Sequence, residues 1–259
     1  MRQFFILFQK ETLESWRNFK WIWMPISFIL LGIMDPLTQH FLPQILDSVG
    51  DLPEGAVIQL PTPSAAEVLT MSLSQFNMIG VLILVLATMA AIAGERKSGV
   101  AAMILVKPVS YFSFVTAKWL STLLMMWISY FIGMLSAWYY VGLLFEFIPF
   151  ADFIQSFFIY GCWLSLVITI TIFYNTFLKT AGLVGFITLA TIILLTTLTG
   201  IFSNWLPWSP AQIMSYAGGS LVSEGLPEHT IETIIFTIVT IFILLSLSVV
   251  IFRKKELED

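Results

Sequence analysis

Six long apolar runs separated by short polar passages set the pattern of the chain, at residues 21–37, 73–93, 114–144, 153–173, 181–202 and 231–252. A helix of ~20 apolar residues spans the hydrocarbon core of a bilayer, so each run predicts one crossing. The first is short, with Trp21 and Trp23 at headgroup depth and Asp35 near its far end. The third exceeds the span and must tilt or protrude. Ahead of them, residues 3–20 read at helical period place Phe5, Phe8, Thr12, Leu13, Trp16 and Phe19 on one side and Lys10, Glu11, Glu14, Arg17 and Asn18 on the other. That pattern predicts an amphipathic helix lying in the membrane interface.

The connections differ in character. Residues 38–69 are rich in proline and acids and hold no Lys or Arg, and residues 64–76 are expected to add a turn or two of amphipathic helix beside the membrane. Residues 146–152 and 174–179 are brief turns. The stretch 203–230 carries Trp205, Pro207, Trp208, Pro210, Tyr216 and Pro227 before the last run, which predicts short helices in an outer interface or an ordinary aromatic belt.

Charge supplies the orientation. If the N-terminus lies inside, the inner segments hold all 12 Lys and Arg residues and six of the 16 acids, and the other ten acids fall outside with no base. Such a bias predicts both termini in the cytoplasm and a single all-α integral membrane domain over 1–259. A hydrophobic content of 58%, a charged content of 11% and a mean hydropathy of +0.91 exclude a water-soluble domain. The apolar stretch at residues 4–8 is too short for a secretory signal, so targeting is expected from the first crossing. Cys162, the only cysteine, lies in an apolar run and can form no intrachain disulfide.

Within this frame residues 94–110 form the only strongly charged passage between the N-terminal arm and the C-terminal tail. Glu95, Arg96 and Lys97 follow an apolar run, Gly99 can end a helix, and Lys107 and Pro108 close the segment, so residues 100–106 read as a short helix between bends. Charge alone makes this a basic anchor at a helix end. The order Glu95-Arg96, Gly99, a short apolar helix, Pro108 and Ser110 resembles the first cytoplasmic loop of the permease subunits of type-2 ABC transporters. The chain departs from that family after Gly99, with Val100-Ala101-Ala102 in place of a Thr-Leu-Glu-like continuation. The resemblance implies an exporter permease with an elbow helix over 1–20 (Phe5, Phe8, Leu13, Trp16), six crossings and an outer interfacial segment over 203–230. It also implies that Glu95, Arg96, Lys97, Gly99, Met103, Lys107, Pro108 and Ser110 form a coupling loop docking on a separate ABC ATPase subunit. A second permease subunit, identical or a sister chain, would complete the assembly.

No phosphate-binding loop, His-Glu-x-x-His or paired-cysteine motif occurs, so no cofactor, metal or enzymatic activity is expected on this chain, and ATP and Mg belong to the partner. Membrane lipid is an expected partner and nucleic acid is not. His40 with Asp47 and Asp51 fits a solvated loop better than a metal site. An apolar pathway with Thr, Met and aromatic residues is compatible with peptides, lipids or drug-like molecules. The competing class is an immunity or sensor protein of the membrane that acts without an ATPase. The expected location is the cytoplasmic membrane of a bacterium.

Overall fold

A computed structural model describes residues 2–49, 62–99, 110–222 and 225–258, and every regular element among them is helical. Six helices are long and apolar enough to cross a membrane. The amphipathic N-terminal segment forms α1, Arg2–Arg17. A tight turn with Phe19 in the left-handed region (φ 57°) redirects the chain into α2, Lys20–Val49. This helix runs well past residue 37, where the sequence pattern ended the first crossing, although it contains Pro25, Pro36 and Pro43. Each proline deletes one backbone hydrogen bond and leaves the others of the helix in place, and packing along a neighbouring helix carries the rest.

The second crossing is likewise longer than its apolar run. It starts at α3, Ala65–Gln75, where Ser64 and Glu67 form a reciprocal capping box. It continues through a π-turn, Phe76–Gly80, into α4, Val81–Thr88. The amphipathic turns expected beside the membrane are therefore the first three turns of the crossing itself. After a break at residues 89–92 comes α5, Ala93–Lys97. Next are α6, Tyr111–Leu144, capped by Ser110 (its hydroxyl accepts from the Ser113 amide at 3.1 Å), α7, Phe150–Asn175, and α8, Ala181–Ile201. A short 3-10 turn, Pro210–Gln212, leads into α9, Ile213–Val222, and α10, Thr230–Glu258, completes the chain.

The core is built on α7. Its most apolar window is 83% buried, against 22% for α8 and for α10, so these two crossings have most of their surface uncovered by the rest of the chain. Tyr160, Phe153 and Phe157 of α7 meet Phe28 of α2, Phe76 of the π-turn and Tyr130 of α6 in a chain of stacked and edge-on rings, and Trp163 of α7 is fully buried. The most extensive helix contact is between α2 and α6. A side chain at Gly32 would fall on the Gly133 carbonyl, and one at Gly133 would come within 2.7 Å of the Phe28 carbonyl oxygen. A Cβ at Gly94, by contrast, would meet only the Ala90 side chain of its own segment, at 3.4 Å. Helix α9, within the stretch 203–230, packs on the bundle. Ile213, Ala217, Gly218 and Ser220 are buried against α7 and α3, and the Ser156 hydroxyl donates to the Ala217 carbonyl at 2.9 Å.

Thr191 and Thr196 of α8 donate to their own helix at Ile187 and Ile192, as hydroxyls in apolar helices do. At the far end, Phe252 of α10 stacks on Phe114 of α6. This places Arg253 beside the start of α6 and so at the end of the bundle that carries Lys10, Lys20, Arg96 and Lys118.

Candidate functional site

The break after α4 creates the site. Ile92 and Ala93 begin a new helix and have no acceptor within the chain's own helical ladder, and an unpaired amide at membrane depth costs several kcal/mol. Asn175, fully buried at the last turn of α7, supplies it: its Oδ1 accepts from the Ile92 amide at 3.2 Å and from the Ala93 amide at 3.0 Å. Its Nδ2 donates to the carbonyls of Thr88, at 3.3 Å, and Thr171, at 3.0 Å. One side chain thus satisfies both sides of the break and joins it to the core helix. One turn further on, Nη1 of Arg96 donates to the Thr176 carbonyl at 3.2 Å. The first residues of the charged loop are therefore fixed to the end of α7.

The orientation of α5 turns Glu95 inward, where it is 8% exposed. Its Oε1 accepts from Lys10 of α1 in a short ion-paired hydrogen bond. Its Oε2 lies 2.9 Å from Nζ of Lys118 of α6, an ion pair in distance whose angle falls outside hydrogen-bond geometry. Lys118, with a side chain only 2% exposed, also donates to Glu11 at 2.9 Å and stands over the Phe114 ring. Lys10 pairs in addition with Glu11 at 3.0 Å and Glu14 at 3.2 Å. Burial lowers the pKa of Lys10, but the hydrogen bond to Glu95 and the charges of Glu11 and Glu95 outweigh it and hold the ammonium well above the ordinary lysine value.

The polar side of α1, read from the sequence as the face turned away from the membrane, therefore faces protein over Lys10 and Glu11. The reason is tertiary: α6 brings a buried cation beneath it, and a buried cation requires carboxylates. On the opposite side Phe5 is 64%, Leu13 55% and Trp16 61% exposed, while Phe8 packs partly on the core.

Of the other residues expected in a coupling loop, Lys97 is exposed, Gly99 adopts φ 77° and ends the helix, and Ser110 caps α6. Met103, Lys107, Pro108 and the short helix expected over 100–106 lie outside the described residues, as do the side chain of Asp47 and all of Asp51. His40 stacks at right angles on Phe41 and Phe145. Carboxylate oxygens of Glu11, Glu14 and Glu95 lie within 4.8 Å of one another, close enough to share a cation, but Lys10 and Lys118 already occupy that position with their ammonium groups. Beside the cluster is a cavity of about 460 Å³ between α1, α4 and α6.

The spacing of the sequence does not bring out Lys10, Glu11, Lys118 or Asn175 as partners of Glu95. The available signal was their cost: a lysine in the first turns of an apolar helix and an asparagine closing another each demand a partner. A second polar point sits in the core, where Asn77 of the π-turn accepts from Trp163 Nε1 at 2.9 Å.

No protein-family model matches the sequence. The chain is 32% identical over 256 residues to the Uncharacterized transmembrane protein YxlG of Bacillus subtilis (strain 168), an alignment covering 99% of both chains. With six candidate crossings of its own and a transmembrane relative matched from end to end, the chain is a multi-pass membrane protein and belongs to the family of YxlG.

Proposed function

We propose that this chain is the membrane-spanning permease subunit of an ATP-driven exporter of the type-2 ABC class, with the loop over 94–110 as its contact for a separate ATPase subunit. One observation carries the proposal. Glu95 and Arg96, the first charged residues of that loop, are held simultaneously by Lys10 of α1, Lys118 of α6 and the Thr176 carbonyl at the end of α7. A loop that only anchored a helix end would place its charges in water at little cost. Here the charges are spent on contacts to three elements, so a push on the loop moves the interfacial helix, the third crossing and the core helix together. The clustering of Lys10, Lys20, Arg96, Lys118 and Arg253 at one end of the bundle supports a cytoplasmic position for that end and for both termini, in a bacterial plasma membrane. ATP and Mg would then bind only to the partner.

Tagged chain isolated from its native membrane in mild detergent is expected to bring down an ATPase with a phosphate-binding loop, and Glu95→Gln is expected to lower substrate-stimulated ATP hydrolysis by the assembly while leaving the chain in the membrane. Isolation without any ATPase, with native activity of the membrane phenotype in an ATPase-free host, would favour an immunity or sensor protein instead.

A further inference from the structure

The cavity beside the ion-pair cluster has two further charged groups at its wall, Lys20 and Glu14. Lys20, at the first turn of α2, donates to the Ala87 carbonyl at 2.8 Å and has no carboxylate within ion-pair distance among the described residues. Glu14 opposes it across the cavity, with a side chain 49% exposed and a single ion pair, to Lys10. Apart from the ion-paired Lys10, Glu11 and Glu95, the other hydrogen-bonding side chains at the cavity wall are small and neutral, among them Ser15, Asn18, Ser98 and Thr122. Around the cavity the charges balance, with Lys10, Lys20 and Lys118 against Glu11, Glu14 and Glu95. An electroneutral site with separated charges disfavours a net anion and a bare cation alike and suits a zwitterion, whose ends can each meet an opposite charge.

Depth narrows the ligand further. The outward side of α1, with Phe5, Ile6, Leu13 and Trp16 at 55–66% exposure, is apolar enough to be immersed in the membrane surface. A cavity on the other side of that helix, at the junction with the first crossing, then lies at the level of lipid headgroups. We propose that it holds the headgroup of a phosphoethanolamine-type phospholipid, the phosphate on Lys20 and the primary ammonium on Glu14. The acyl chains stay in the surrounding membrane, and the lipid fastens the interfacial helix to the first crossing. A quaternary ammonium would lack the N–H groups that Glu14 accepts, and a glycerol headgroup would leave Glu14 facing a net anion. This assignment stands whether or not the chain transports anything.

The test is native mass spectrometry of the full chain released from mixed micelles containing equal amounts of dioleoyl phosphatidylethanolamine, phosphatidylglycerol and phosphatidylcholine. One phosphatidylethanolamine per chain is expected to be retained about tenfold over the other two, the yield of one charge-assisted contact. Lys20→Met should reduce its retention about tenfold, and Glu14→Gln should abolish the preference over phosphatidylcholine. Because Glu14 is half exposed and its amide is isosteric, that variant is expected to fold even if Lys20→Met does not. Soluble glycerophosphoethanolamine, the zwitterionic headgroup without acyl chains, separates a lipid from a free ligand: displacement of bound lipid by a large excess of it supports headgroup recognition. Saturation of the site by it in the presence of lipid at equal concentration would assign the cavity to a soluble ligand and overturn the proposal. Equal retention of phosphatidylglycerol, or retention of phosphatidylethanolamine unchanged by both substitutions, would overturn it as well.

Discussion

Lys118 is the residue that most constrains its surroundings. A lysine side chain 2% exposed inside a bundle is tolerable only with its carboxylates in place, and Glu11 and Glu95 each lie 2.9 Å away. Removing one partner of a buried pair exposes the other to the full cost of burial. Glu95→Leu or Lys118→Met alone is therefore expected to destabilise the protein by about 3 kcal/mol, and the double variant by less than the sum of the two. Thermal unfolding in detergent measures all three, and strict additivity would mean that the pair is not coupled. The pH dependence has a definite sign. Because the folded pKa of Lys10 is raised above its usual 10.5, its contribution is fully present below that value and is lost only as the pH rises through the raised one. The loss of stability in Lys10→Met is thus expected to be constant between about pH 7 and pH 9, and a decline of the effect across that window would contradict the assignment. Asn175 is the second such residue. Asn175→Leu leaves the Ile92 and Ala93 amides without partners, an expected cost of about 2–4 kcal/mol. Hydrogen exchange at those two amides should accelerate in the variant, and unchanged protection there would show that another group fills the role.

At the scale of elements, the contact of α2 with α6 depends on two glycines that let backbones meet. Without water to drive association, helices in a membrane hold together by close packing, and a Cβ inserted at a backbone contact forces them apart. Gly133→Ala, whose methyl would lie 2.7 Å from the Phe28 carbonyl oxygen, is expected to destabilise the fold by about 1–3 kcal/mol. Gly182→Ala, with nothing within 4 Å, serves as the control in the same unfolding measurement. If both behave alike, the glycine contact carries no weight. The element boundaries show how far local pattern reaches. Ser64-x-x-Glu67 is a capping box written in four residues and marks the start of the second crossing, yet the apolar run begins eight residues later because α3 packs against protein, not lipid. The continuation of α2 through three prolines has no local signature at all.

For the molecule as a whole, the arrangement across the membrane can be tested directly. In a Cys162→Ala background, single cysteines at Glu146 and Glu228, both exposed at the end of the bundle away from the lysines, are expected to react with a membrane-impermeant thiol reagent in intact cells. One at the exposed Ser98 is expected to react only after the membrane is opened. Labelling of the Ser98 position from outside would reverse the orientation or change the number of crossings.

The sequence by itself determined the class of the protein, the six crossings and the amphipathic N-terminal helix. It did so because each is a property of a segment against its solvent: enough apolar residues to span, or one apolar side at helical period. It also singled out Glu95 and Arg96, since charges between apolar runs stand out wherever they fall. Only the tertiary structure decided what those charges meet. Lys10 and Glu95 are 85 residues apart, and Asn175 and Ile92 are 83 apart. No spacing rule connects such positions, because their proximity is set by how α1, α6 and α7 pack. The polar side of α1 was legible as polar, and its partner was not. A helix records in its own period which face is charged, while the choice between water and a buried lysine for that face is made by the neighbouring helices.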